Sequence, residues 1–163
     1  MIHDFAGLYR RIDYIRREGM QRILHNIVEA MGEALLNQII DEIARQDLID
    51  TGAMWNSFSH GGDNNVWTWD VDRNAVTLEI GSNLPYAQLL NDGYTITKQH
   101  FVPGYWNSGG SFVYDPGSKT GFMAKPRTFI GRHYFDIAVN DFRGGMNTFM
   151  LHRLEVELGR MLR

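Results

Sequence analysis

No cysteine occurs among the 163 residues, which excludes disulfides, thiolate metal sites and cysteine nucleophiles and suits a reducing cytoplasm. No apolar run approaches the roughly 18 residues of a membrane span. The start, Met1-Ile2-His3-Asp4, lacks a basic region followed by an apolar stretch, so export by a signal peptide is not expected. Positive charge is not in excess either. Sixteen Lys and Arg against nineteen Asp and Glu leave a net charge of −3, which argues against a whole-surface nucleic-acid binder while leaving room for local patches. What is present, 44% hydrophobic and 21% charged residues, is the profile of one globular domain over 1–163 able to bury its own core.

The motifs of catalysis are also missing. "VYDPGSKTG", Val113 to Gly121, ends like a phosphate-binding loop, yet Ser118 separates Gly117 from Lys119 and Phe112 stands where the first glycine belongs. Gly121 and Pro126 then oppose the helix that should follow. Asp115-Pro116-Gly117 reads instead as a turn between extended segments. "DVDRN", Asp70 to Asn74, opens like a calcium loop, but Ala75 replaces its glycine and Gly81 its bidentate glutamate. His3, His25, His60, His100, His133 and His152 never pair at the i, i+4 spacing of a helical metal site, although His100 and His133 lie near the same glycine-rich region. "NSGGS", Asn107 to Ser111, is a loop and not a nucleophile elbow. Asp41 with Glu42 and Glu155 with Glu157 sit on helices and have a solvated-face explanation, so a hydrolase reading has weak support. No catalytic residue, metal or cofactor is therefore expected.

From Gly19 to Gln46, Met20, Ile23, Ile27, Met31, Leu35 and Ile39 recur at three- and four-residue steps, flanked by Leu24, Val28, Leu36, Ile40 and Ile43. The spacing predicts a long amphipathic helix, on the order of 40 Å, that reaches past its own core or packs on a neighbour. Tyr9 to Glu18 either continues it or forms a separate short helix. Asp50-Thr51-Gly52 ends the pattern, and Met54 to Ser59 reads as the beginning of a strand. Val66 to Val71 and Val76 to Ile80 alternate as a hairpin around Asp72-Arg73-Asn74. Ser82 or Asn83 can cap a short helix with Pro85 in its first turn and Gly93 as its stop. Tyr94 to Gly121 is rich in glycine and aromatics and reads as a long loop or projecting hairpin. A short strand, Arg127 to Ile130, leads to a C-terminal helix carrying Tyr134, Ala138, Phe142, Met146, Phe149, Leu154, Leu158 and Met161, which Gly144-Gly145 should kink or interrupt.

Five arginines crowd the start: Arg10, Arg11, Arg16, Arg17 and Arg22. With Asp13 and Glu18 at i, i+4 from Arg17 and Arg22, they form either a salt-bridged exposed helix face or a phosphate-facing patch.

Three stretches together, "DTGAMWNSF", "LPYAQLLNDGY" and "FVPGYW … GFMAKPRTFIGRHYFDIA", resemble the small tail-component family of long-tailed bacteriophages, the neck, tail-completion and head-tail joining proteins. Thr51-Gly52 with Met54 and Ser57, Tyr86-Ala87 with Gly93, and Val102-Pro103-Gly104 with Arg132, Tyr134 and Phe135 carry the likeness, over roughly residues 45 to 142. The insertion from Tyr105 to Phe122 is longer than in the simplest members. The resemblance implies an α+β fold, with a long N-terminal helix and a C-terminal helix packed on a small antiparallel sheet: helical segment 1–47, extended loop 94–122, C-terminal helix 132–163. It implies a non-enzymatic virion protein, made in the host bacterial cytoplasm, that forms a homo-oligomeric ring at the head-tail connection between portal side and tail tube. Its partners would be neighbouring connector proteins and the tail tube protein, with no membrane. The interface residues expected on this reading are Tyr86, Leu90, Phe101, Tyr105, Trp106 and Phe112, because exposed aromatics in a region of low charge call for a cover. The aromatics would alternatively complete the subunit's own core. Arg10, Arg11, Arg16, Arg17 and Arg22 would face a ring lumen and touch packaged DNA without reading its sequence. The other function class left open is a nucleic-acid-handling enzyme or binding module using the same arginines with His100 or His133.

Overall fold

A computed structural model describes residues 5–14, 16, 19–72 and 75–162 of the chain. The elements run α1 (Phe5–Tyr14), α2 (Met20–Arg45), α3 (Ala53–Ser57), β1 (Asn65–Val71), β2 (Val76–Ser82), α4 (Pro85–Asp92), β3 (Gly93–Ile96), β4 (His100–Trp106), β5 (Phe112–Tyr114), β6 (Gly121–Ala124), β7 (Arg127–Ile130) and α5 (Tyr134–Leu162). This is an α+β chain with long N- and C-terminal helices. Its strands pair antiparallel in three small sheets, β1-β2, β3-β7 and β5-β4-β6, where one sheet was expected. They fall into two compact units, one of residues 1–87 with 133–163 and one of residues 88–132.

The first unit is built on α2. Ile23, Ile27, Leu36, Ile39, Ile40 and Ile43 are buried along one stripe, which α5 and the β1-β2 hairpin cover. Gly32 permits the hairpin's approach, since a Cβ there would lie 2.5 Å from Leu78 Cδ2 and 3.0 Å from the Trp67 ring. At its first turn the stripe outlasts its cover, and Met20 and Leu24 are exposed. Asn26 reaches across to α5, its Nδ2 donating to Glu157 Oε2 at 3.0 Å.

Met54 to Ser59 is not a strand. Gly52, at φ +79°, caps α3, and Met54, Ser57 and Phe58 are buried at helical steps of three and one. A window of six residues cannot separate a period of two from one of 3.6, which is why the alternation misled. Ser57 ties this turn to the hairpin. Its hydroxyl donates to the Met54 carbonyl at 2.8 Å and accepts from Ser82 Oγ at 2.8 Å, while Ser82 Oγ also accepts from the Leu84 amide ahead of α4. The expected β1-β2 hairpin forms, and its register pairs Trp67 with Ile80 and Trp69 with Leu78. Its turn closes through Asp72 and Ala75, and Arg73 and Asn74 lie outside the described residues. α5 runs uninterrupted through Gly144-Gly145. Two glycines at about 1 kcal/mol each do not break a helix whose apolar side packs on α2.

Glu42 is the buried carboxylate of α2. It accepts from Arg45 Nε at 2.7 Å and from Gln46 Nε2. The Arg45 hydrogen bonds hold its carboxyl below the usual range, although burial opposes them. A depressed folded-state value means stability that is fully present above the unfolded value of about 4.3 and lost as pH falls through the folded one. Glu42→Gln is expected to lower stability by about 1–2 kcal/mol at neutral pH and by progressively less below about pH 4. Urea denaturation at pH 7 and pH 3 tests this, and a difference independent of pH would refute it.

Candidate functional site

Residues 88–132, all of them described, contain almost no core of their own. The buried residues are Asn91, Gly104 and Ala124, none with a large apolar side chain. Yet this unit holds a dense group of aromatics, and strand register decides where they go. The stretch read as an extended loop, 94–122, carries most of two sheets. In the three-stranded one, Tyr105 pairs with Val113 and Trp106 with Phe112, while Phe101 pairs with Met123 and Val102 with Phe122.

Alternation then sorts the side chains by face. On one face Trp106, Phe112 and Phe122 meet edge-on or tilted, with ring centroids 4.9–6.4 Å apart. They close over Gly104, where a Cβ would come within 2.5 Å of the Phe112 ring. Tyr114 extends this face and is 62% exposed, as Trp106 is at 64%. On the other face Phe101, Tyr105 and Met123 remain 49%, 51% and 55% exposed, and among the described residues no aromatic ring stacks on them. Phe101 lies over Gly121, where a Cβ would sit 2.8 Å from its ring.

The β3-β7 ribbon is fastened to α4. Gly93, at φ +78°, ends that helix with Gly131 N and Phe129 O each 2.5 Å from the place of a Cβ. The Arg132 amide donates to the Leu90 carbonyl at 2.9 Å. Tyr94 stacks on Phe129 at 4.4 Å, and the Arg127 guanidinium lies over the Phe129 ring at 4.3 Å. Beside this clasp runs an open groove of about 700 Å³ lined by Leu89, Leu90, Tyr94, Phe129, Ile130 and Arg132.

The interface residues named from sequence are therefore distributed. Trp106 and Phe112 touch one another, Phe101 and Tyr105 occupy the opposite face, Leu90 lines the groove, and Tyr86 is an exposed residue of the other unit. Tyr114, Phe122, Met123 and Ile130 are likewise exposed apolar residues of this unit and were not among the interface residues named from sequence. Arg10 is exposed on α1, Arg22 on α2, and Arg16 is exposed between them. Arg17, Glu18 and the side chain of Arg11 lie outside the described residues, so neither expected i, i+4 pair can be placed.

The decoy motifs resolve into turns. Asp115 Oδ1 accepts from the Gly117 amide at 3.0 Å, and Thr120 Oγ1 donates to the Gly104 carbonyl at 2.9 Å, so "VYDPGSKTG" is a strand end and a β5-β6 connection. Asn107 Oδ1 accepts from the Gly109 and Ser111 amides in the β4-β5 turn. His133 faces Asp136 at 3.4 Å, and His100 is exposed at the start of β4. Among the described residues no group of three His, Asp or Glu side chains gathers to hold a metal ion, and no helix is long and apolar enough to cross a membrane.

Comparison with known proteins gives this arrangement a context. The model of a family described as "Bacteriophage HK97-gp10, putative tail-component" matches residues 7–93, from α1 to the glycine that ends α4. The chain is 34% identical over 123 residues to the phage-like element PBSX protein XkdI of Bacillus subtilis (strain 168), with 74% of each chain covered. It is also 34% identical over 149 residues to the uncharacterized protein YqbI of the same strain, with 87% of each covered. No solved structure matches the chain. A family match over more than half of its length, together with a relative from a phage-like element, shows that the chain belongs to the HK97-gp10-like family of bacteriophage tail components.

Proposed function

We propose that this protein is a non-catalytic virion subunit whose copies form a ring at the head-tail connection of a long-tailed phage, joining the portal side to the tail tube. The observation that carries this reading is the bare sheet of residues 88–132. Phe101, Tyr105, Trp106, Tyr114, Phe122 and Met123 average about half exposed. At roughly 200 Å² for each large side chain they offer on the order of 300 Å² of apolar surface on each of the sheet's two faces. Exposed apolar area on both faces of a lone subunit's sheet marks contact surface. Membership in a tail-component family supports an assembly partner as what covers it.

In such a ring the exposed Arg10, Arg16 and Arg22 would line the lumen, where repetition multiplies a weak phosphate-facing patch. Sedimentation of the purified protein tests the reading. It is expected to give a discrete multimer, and gold-labelled protein should appear at the head-tail junction in virion micrographs. Gln at Arg10, Arg16 and Arg22 should reduce DNA retention in filled heads without disturbing that multimer. A monomer with metal-dependent nuclease activity would instead favour the nucleic-acid enzyme.

A further inference from the structure

The two units carry opposite charge. Residues 88–132 hold five of the sixteen Lys and Arg and two of the nineteen Asp and Glu, so they are +3, and the eleven basic and seventeen acidic residues left to the rest of the chain make it −6. The basic groups have a definite place on the sheet. His100 pairs with Ala124, so Lys98, two residues before β4's first residue, and Lys125, directly after β6, both leave the sheet at the same end. One register step inward lies the pair Phe101 and Met123. That end of the sheet therefore presents an exposed apolar face rimmed by two lysines.

A surface of matching chemistry occurs in the other unit, at the junction where α2 ends and α3 begins. Asp41 stands on the last turns of α2, Asp47 and Asp50 follow in the connection, and all three are exposed. Among them Ile49 and Trp55 are exposed apolar side chains. Carboxylates at a helix C-terminus add to the negative end of the helix dipole, which favours an incoming cation. The junction runs into the "DTGAMWNSF" stretch, whose Met54 and Ser57 are buried while Asp50 and Trp55 are exposed.

We infer that in the assembled protein the Lys98/Lys125 end of the sheet, with Phe101, Tyr105 and Met123, seats on the Asp41–Trp55 junction of the next copy. The proposal rests on the reading that copies of this chain assemble, and adds which surfaces meet. Two different surfaces in contact make a head-to-tail interface, the type that closes into a ring, whereas a self-complementary patch closes as a dimer. Opposite charge at the rim sets the register and suppresses sheet-to-sheet pairing, where lysines would face lysines.

Charge reversal with mixing tests it. Lys98→Glu with Lys125→Glu puts carboxylates against carboxylates, and Asp41→Lys with Asp50→Lys puts lysines against lysines. Each variant alone is expected to need at least ~30-fold more protein than wild type to assemble, given the cost of like charges across an interface. An equimolar mixture of the two should regain wild-type assembly, because every contact in an alternating ring is then of opposite sign. Milder variants, Lys98→Gln with Lys125→Gln and Asp41→Asn with Asp50→Asn, guard against misfolding and should weaken assembly several-fold, as should raising salt on the wild type. Wild-type protein that stays monomeric at every concentration would remove the ring reading and this proposal with it. Wild-type assembly alongside equally good assembly of both reversed variants would remove this proposal alone. Assembly of the Asp→Lys variant alone as good as that of wild type, with the Lys→Glu variant pairing equally well with either of them, would mean that two sheets meet and would overturn it.

Discussion

Tyr134→Ala is expected to leave the unit of residues 1–87 and 133–163 close to unfolding at room temperature. Tyr134 opens α5 and is 2% exposed. Its ring meets Phe58 edge-on at 6.0 Å, and its hydroxyl donates to the Ala87 carbonyl at 3.1 Å, joining the start of α5 to the first turns of α4. Two separable losses follow. Removing a buried ring costs about 3–5 kcal/mol through lost burial and the cavity left behind. The Ala87 carbonyl, deprived of its buried donor, adds about 1–3 kcal/mol. Against a domain stability of about 5–15 kcal/mol the sum is most of what there is. Tyr134→Phe keeps the ring and loses only the hydrogen bond, so it should fall about 1–2 kcal/mol below wild type. Denaturant midpoints of the three proteins measure both steps. An alanine variant within 1 kcal/mol of wild type would refute the packing role given to the ring.

The helices and the hairpin were legible because each repeats one period long enough to be recognised. Ile23, Ile27 and Ile39 fix the stripe of α2 over many turns, and Trp67, Trp69, Leu78 and Ile80 alternate across two strands of equal length. α3 was misread because a stretch of six residues is too short to separate the two periods, and because the role of Ser57 depends on a partner that sequence spacing does not reveal: Ser57 meets Ser82 across 25 residues. The β5-β4-β6 sheet was hidden for a different reason. Both of its faces carry apolar side chains, so the alternation of apolar with polar residues that betrays a strand is absent, and Gly104 and Gly121, required by close-lying rings, read as loop. The aromatics were singled out by composition, but their division into a ring cluster and a bare face needed the register. The charge contrast between the two units was present in the residue order all along. It becomes visible only once the boundaries at 88 and 132 are known.

Serine at Phe101, Tyr105 and Met123 together is expected to abolish assembly while leaving the subunit folded. These three share the face on which no other ring packs, so about half of each is already in contact with water and contributes little to the subunit's own stability. Cover that exposed half, roughly 100 Å² for an aromatic, and each contributes up to ~2.5 kcal/mol at about 25 cal/mol per Å². Ordering and desolvation reduce the sum, but a weakening of at least ~100-fold in assembly remains for three residues at the centre of a contact. The opposite face supplies the control. Trp106→Ser with Phe122→Ser dismantles the cluster over Gly104, in which the rings hold one another, and should lower thermal stability before it affects association. Excising residues 107–119 would not make this distinction, because it removes β5 and bares the edge of β4 as well as Phe112. Circular dichroism and sedimentation of both variants decide the matter. If the Phe101, Tyr105 and Met123 variant unfolds, those side chains are core; if it assembles like wild type, the contact surface lies elsewhere on the molecule.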